Sequence, residues 1–308
     1  MGSQNFRTPP QTGRFVIVTG GTGGLGFETA SALAAAGAEV VLAGRNEQKG
    51  HQALDRLLAV HPGSRARFEH LDLASLASVA DFAGRMTAAE RGIDLLVNNA
   101  GVMAPPERHL SADGFELQFA TNYLGHFALT AHLLPLLRQP PGARVVSVSS
   151  LAAHVGSLHL ADLNSERAYA PFRVYAMTKL GLLSFTSEFQ RRSQQAGWGV
   201  DAIAAHPGWA RTDIISNGPA SRGLRGALWG FAKPLLLPLS PRAEQAAVPI
   251  LFAATSPDAI GGGFYGPTGP RELQGPAGEV RSPAMARNPT VAGKLWDISE
   301  RLAHVDFA

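Results

Sequence analysis

Tyr175 and Lys179 stand four residues apart in a stretch, 171–195, that carries a helical pattern. At that spacing both side chains leave the same helix face. A free phenol has a pKa of about 10, too high for ready proton exchange near neutrality. An ammonium beside it stabilises the phenolate and lets the tyrosine give or take a proton. The plain alternative is a pair on a solvated helix face. With four tyrosines and four lysines in the chain, a Y-x-x-x-K spacing arises by chance about once in twenty such chains. Upstream, Ser149 and Ser150 follow a short apolar, β-branched run. They fall at the C-terminal end of a strand, where α/β sites form. A hydroxyl placed there can hydrogen-bond a carbonyl oxygen and polarise it.

These groups need a partner reagent, and the first strand supplies a place for one. Val16, Ile17 and Val18 lead into Thr19-Gly20-Gly21-Thr22-Gly23-Gly24-Leu25-Gly26, and an alanine-rich helical run follows. Gly21, Gly23 and Gly26 make a G-x-G-x-x-G, while Thr19, Gly20, Gly24 and Gly26 make a T-G-x-x-x-G-x-G. Strand, glycine turn and helix together form a nucleotide-binding unit, in which backbone N–H groups approach a pyrophosphate at the positive end of a helix. Gly20, Thr22, Gly24, Leu25 and Gly26 are the cradle residues. Gly44-Arg45 follows the second strand. A carboxylate there would bind a ribose 2′-hydroxyl and favour NAD. Glycine takes its place, and the arginine that follows suits the 2′-phosphate of NADP.

Composition removes other chemistries. The chain has no cysteine, which excludes disulfides and thiolate catalysis. His51/His61 and His126/His132 lack the usual metal-ligand spacing. The formal net charge is +3, with basic residues scattered and not striped, which argues against nucleic acid as a partner. No signal-peptide pattern or membrane span is legible, so the expected location is cytoplasmic. Peripheral membrane contact and homo-oligomerisation stay open.

Strand and helix patterns alternate along the chain. Strands are expected at 14–19, 39–43, 65–70, 93–97, 144–148 and 200–205. Helices are expected at 24–36, 47–60, 75–90, 111–137, 171–195 and 241–254. That alternation implies right-handed crossovers and a doubly wound parallel sheet with helices on both faces. Residues 1–13 read as a flexible tail. Residues 14–256 read as one dinucleotide-binding and catalytic domain, and 257–308 as a C-terminal elaboration of it.

Taken in order, these pieces resemble the short-chain dehydrogenase/reductase family over nearly all of residues 14–256. The quoted motifs are Thr19-Gly20 through Gly26, Asp72-Leu73, Asn98-Asn99-Ala100-Gly101, Asn122, Val148-Ser149-Ser150, Tyr175 with Lys179, and Pro207-Gly208 with Thr212. The resemblance implies a single Rossmann-type domain. It places Asp72, with Leu73, at the adenine, and gives Asn99 a role in steadying sheet and cofactor. Pro207, Gly208 and Thr212 would hold the nicotinamide side. Ser150 is favoured over Ser149, and Asn122 would kink a helix and position a water by Lys179; a mid-helix amide bonded to backbone is the plain reading of the same residue. Ser150 and Tyr175 are 25 positions apart, longer than in compact members, and the interval carries His154, His159 and Tyr169. That interval, Val102-Met103 and Leu124-Gly125-His126-Phe127 most resemble the retinol-dehydrogenase-like branch.

The implied function is an NADP(H)-dependent oxidoreductase that interconverts an apolar carbonyl and its alcohol, with Tyr175 as acid and base. A cofactor-bound sensor or scaffold and a nucleotide-sugar epimerase are the competing classes. The segment 213–240 contains Trp229 and Phe231 among glycines and is expected to form an apolar substrate lid. The alternative for it is packing against a neighbouring subunit or a membrane surface.

Overall fold

Valine, isoleucine and leucine fill the short runs that become strands, because such side chains pack well on a pleated surface buried on both faces. The computed structural model describes residues 6–209 and 242–307. Its strands are β1 (Phe15–Thr19), β2 (Glu39–Gly44), β3 (Ala66–His70), β4 (Leu95–Asn98), β5 (Ala143–Val148), β6 (Val200–Ala205), β7 (Phe264–Pro267) and β8 (Ala277–Glu279). They form one sheet in the order β3-β2-β1-β4-β5-β6-β7-β8, parallel throughout except for the antiparallel β7–β8 pair. The order reverses between β1 and β4, and the crevice at such a switch point is where ligands bind in open α/β sheets.

Along β1 the side chains alternate between two cores. Phe15 and Ile17 face α3 (Leu76–Ala88), α4 (Gly125–Leu137), α5 (Pro171–Ala196) and α7 (Pro289–Ala303). Val16 and Val18 face α1 (Gly24–Ala35), α2 (Glu47–Val60) and α6 (Ala243–Thr255). The fold is therefore a doubly wound, Rossmann-type α/β sheet covered on both faces. None of the helices among the described residues is long and apolar enough to cross a membrane.

Two stretches differ from the sequence expectation. The helix expected over 111–137 does not start at Ser111. The Ser111 hydroxyl accepts hydrogen bonds from the N–H groups of Asp113 and Phe115, and Gly114 adopts a φ of 81°. A serine bonding its own downstream backbone competes with helix formation, so residues 111–114 turn instead. Helical winding then passes through a π-helical segment, Phe119–Leu124, before α4 begins. The C-terminal region also holds more regular structure than the pattern announced, in β7, β8 and α7. Asn288 starts α7 by accepting from the N–H groups of Thr290 and Val291, with Pro289 in the first turn.

Helix α7 braces α5. Trp296 is fully buried and stacks on Phe185 of α5 at 5.7 Å and 13°. Phe307 closes on Trp296 at 4.3 Å, and the Tyr123 hydroxyl bonds the Ser299 hydroxyl at 2.9 Å. The helix bearing Tyr175 and Lys179 is thus clamped between the sheet and an aromatic cluster.

Candidate active site

A cleft of about 760 Å³ opens at the C-terminal ends of β1, β4, β5 and β6. Gly20, Thr22, Gly24, Leu25, Gly26, Arg45, Asp72, Leu73, Asn99, Ser150, Tyr175, Lys179, Pro207 and Gly208 all line it. Thr212 lies outside the described residues, as does the 213–240 segment with Trp229 and Phe231. Asn122 is fully buried behind the wall.

The cradle end fits a dinucleotide. Gly23 precedes α1 with no side-chain cap, and the residues of the first turn line the cleft, so their N–H groups are left for an anion. A Cβ on Gly26 would collide with the Gly20 carbonyl oxygen and the Asn99 amide nitrogen. The Asn99 side chain in turn donates to the Thr19 carbonyl at 2.8 Å. Asp72 accepts from the Ala74 N–H at 3.0 Å, and Leu71 and Leu73 flank it on the cleft wall.

At the far end, Arg45 and Lys49 are both exposed and both line the cleft. Asn46 caps α2 by accepting the Lys49 N–H at 2.8 Å. Sequence reading missed Lys49, although its place four residues after Arg45 at the start of a helix was a usable signal. A Cβ on Gly44 would approach the Thr22 methyl to 2.9 Å.

At the chemical end, Ser150 lies beside the Tyr175 phenol, close enough to favour its ionised form, and both line the cleft. The Ser150 hydroxyl oxygen accepts the Ala152 N–H at 3.2 Å. Ser149 is engaged elsewhere, donating to the Lys179 carbonyl at 2.8 Å. The geometry therefore pairs Tyr175 with the second serine. Lys179 Nζ donates to the Val148 carbonyl at 2.8 Å and lies 5.8 Å from the Tyr175 ring centre.

Burial governs both titrations. It pushes the Tyr175 phenol above its usual 10, against a smaller opposing effect of the neighbouring Ser150. It draws Lys179 down to about 8. The lowering expected from a neighbouring ammonium is not seen here, where desolvation of the phenolate dominates.

Asn122 sits in the π-helical segment, a distortion frequent at functional sites. Its side chain accepts the Val102 N–H at 2.8 Å and donates to the Val102 carbonyl at 2.9 Å and the Thr178 hydroxyl at 3.1 Å. The amide therefore fastens the segment after Asn98-Asn99-Ala100-Gly101 to α5, the helix that carries Tyr175 and Lys179.

A second buried network was not legible in the sequence. The Thr19 hydroxyl oxygen accepts the N–H groups of Asn99 at 2.9 Å and Ala100 at 3.0 Å, which uses both lone pairs. Its proton has two acceptors within reach, the Val97 carbonyl at 3.2 Å and His126 Nε2 at 2.9 Å. Nδ1–H donates to the Asn122 carbonyl at 3.0 Å, which leaves Nε2 unprotonated toward Thr19. His126 is neutral, held down to about 3 by burial, with the nearby Lys179 charge also disfavouring protonation.

The matches to known proteins agree with this geometry. The family model described as short chain dehydrogenase matches residues 14–222. This chain belongs to the short-chain dehydrogenase/reductase family. It is 39% identical over 300 residues to polyprenol dehydrogenase of Mus musculus, covering 96% of this chain and 85% of that protein. It is 36% identical over 300 residues to retinol dehydrogenase 13 of Homo sapiens, covering 96% and 86%. A crystal structure of an uncharacterised protein from Mycobacterium paratuberculosis matches all of both chains at 36% identity with a TM-score of 0.81. Within the short-chain dehydrogenases/reductases the chain falls in the retinol-dehydrogenase-like branch, and it is an oxidoreductase that uses a nicotinamide dinucleotide. Among the described residues no group of His, Asp and Glu could hold a metal ion.

Proposed function

We propose that this protein is an NADP(H)-dependent oxidoreductase that interconverts an apolar ketone or aldehyde and its alcohol, with Tyr175 as acid and base. The observation that carries this reading is that Ser150, Tyr175 and Lys179 converge in one cleft, at the junction between the glycine cradle and an apolar half. That half is lined by Val102, Met103, Leu151, Ala152, Phe172, Trp209 and Leu273. The bound dinucleotide supplies or accepts the hydride. Ser150 orients the substrate oxygen, and Tyr175 passes a proton to it or removes one. Lys179, held on the Val148 carbonyl, brings positive charge behind the phenol and would bind the nicotinamide ribose. Asn122, whose amide is committed to Val102 and Thr178, acts by positioning. A phenol raised by burial stays protonated at neutral pH, which favours reduction there, and oxidation gains as pH rises.

Support for NADP(H) over NAD(H) comes from the far end. Thr22 leaves little room for a carboxylate side chain at position 44, and Arg45 with Lys49 offers two cations to a 2′-phosphate. Relatives named for retinol and polyprenol fit an apolar substrate.

The test is NADPH and NADH oxidation over a panel of aliphatic and aromatic aldehydes and ketones, repeated with Tyr175→Phe. Turnover that falls more than tenfold, about 1.4 kcal/mol of barrier, with cofactor affinity retained, is the expected result. A Tyr175→Phe enzyme with a smaller loss would move the proton donor elsewhere.

A further inference from the structure

The structure points to a second determinant of the site far along the chain: we infer that the turn Arg271-Glu272-Leu273 is a specificity element, with Leu273 touching the substrate and Glu272 positioning it. The inference rests on the reductase reading above for its kinetic form. Its physical basis is separate.

Of the eight large apolar side chains exposed to solvent among the described residues, three line the cleft: Phe172 is 51% exposed, Trp209 41% and Leu273 37%. Phe172 lies 6.3 Å from the Tyr175 ring, so this apolar wall borders the reacting phenol. Leu273 comes from the connection between β7 and β8, not from the strands that carry the other site residues.

Its place is held by several bonds. Arg271 and Glu272 both adopt left-handed backbone, with φ of 54° and 57°. Side-chain-bearing residues stay in that region only when their surroundings enforce it. Here the Trp209 N–H donates to the Leu273 carbonyl at 2.9 Å. His206 Nδ1 accepts the Gly208 N–H at 3.1 Å, which leaves Nε2–H to donate to the Glu272 carboxylate at 3.0 Å. His154 Nε2 stands 3.7 Å from the same oxygen. Gly208, at a φ of 72°, has no room for a Cβ, which would lie 2.6 Å from the Leu273 carbonyl oxygen. The Pro207-Gly208 turn on the cofactor side and the Leu273 wall on the substrate side are therefore one braced unit.

A wall of this kind sets how long or bulky a substrate the cleft accepts while leaving the cradle untouched. Truncating Leu273 removes about three carbon groups, each worth up to about fourfold when fully buried; on a side chain that is 37% exposed the expected loss is about tenfold. Removing the Glu272 carboxylate should let the turn relax and mimic that truncation. A glutamine there keeps an acceptor for His206 Nε2–H.

The experiment measures kcat/KM for straight-chain aldehydes from four to twelve carbons with NADPH, in parent, Leu273→Ala, Leu273→Trp, Glu272→Ala and Glu272→Gln enzymes, with NADPH affinity measured alongside. Leu273→Ala should weaken the best substrate about tenfold, mainly through KM, and move the optimum to longer or bulkier chains. Leu273→Trp should move it to shorter ones. Glu272→Ala should follow Leu273→Ala, Glu272→Gln should restore the parent profile, and NADPH affinity in both Leu273 variants should stay within twofold. Calorimetric binding of the matching alcohols with NADP bound, in the Tyr175→Phe background, reads the same wall without turnover. An unchanged chain-length profile in both Leu273 variants would overturn the inference, as would weakened NADPH binding with an unchanged profile. A parent enzyme that reduces nothing in the panel would instead sink the reductase reading, and the binding series would still decide the role of Leu273.

Discussion

His126 gives the sharpest quantitative test of the buried network behind the site. The imidazole is neutral in the folded protein, with a pKa of about 3 against 6.5 for the free side chain. A second proton on Nε2 would face a Thr19 hydroxyl whose lone pairs already serve Asn99 and Ala100. A folded pKa below the unfolded one gives stability that is complete above pH 6.5 and is lost as pH falls toward 3. At pH 7 the unfolded histidine is mostly neutral and the penalty is small. At pH 5 it is protonated while the folded one is not, so the protein loses about 2 kcal/mol relative to pH 7 through this residue. The native value lies so far below 5 that the size of the loss is set almost wholly by the unfolded value. His126→Asn keeps an N–H donor toward the Asn122 carbonyl and does not titrate. Urea unfolding of parent and variant at both pH values isolates the term, since every other ionisable group is common to the two proteins. The parent should lose about 2 kcal/mol more than the variant between pH 7 and 5. Equal losses, or an imidazole NMR titration of folded protein with a midpoint near 6.5, would refute the network.

Other expectations follow from the same geometry. Arg45→Ala should weaken NADPH by about 1.5–3 kcal/mol, roughly ten- to a hundredfold, and leave NADH nearly unchanged; fluorescence titration of both cofactors decides it, and Lys49→Ala should show a smaller effect of the same sign. Gly26→Ala places a methyl against the Gly20 carbonyl and the Asn99 amide, so it should cost about 1–3 kcal/mol of stability and abolish the rise in melting temperature produced by NADPH. Trp296→Ala should destabilise the fold by about 3–5 kcal/mol, read by urea unfolding. Trp296 does not line the cleft, so cofactor affinity should be retained in whatever fraction folds.

Much of the chemistry could be read along the chain because its parts are local. The glycine turn between β1 and α1, and the four-residue step from Tyr175 to Lys179, are spacings within one strand–turn–helix or one helix. Backbone geometry fixes what such spacings bring together. The alternation of strand and helix likewise determined the parallel sheet, since crossovers of one hand leave few other arrangements. Tertiary packing decided the rest. That the Ser149 hydroxyl is taken by the Lys179 carbonyl while Ser150 lies beside Tyr175 depends on packing and not on spacing. The raised phenol and the lowered ammonium depend on burial, which no spacing encodes. Thr19 and His126 meet across a long sequence separation, as do Glu272 and His206. Short β7 and β8 carry too few residues to show a period, and their pairing exists only because β6 offers an open edge. The sequence determined the reagents and the elements that carry them; long-range contact in a desolvated interior decided their protonation, their partners and the wall that faces the substrate.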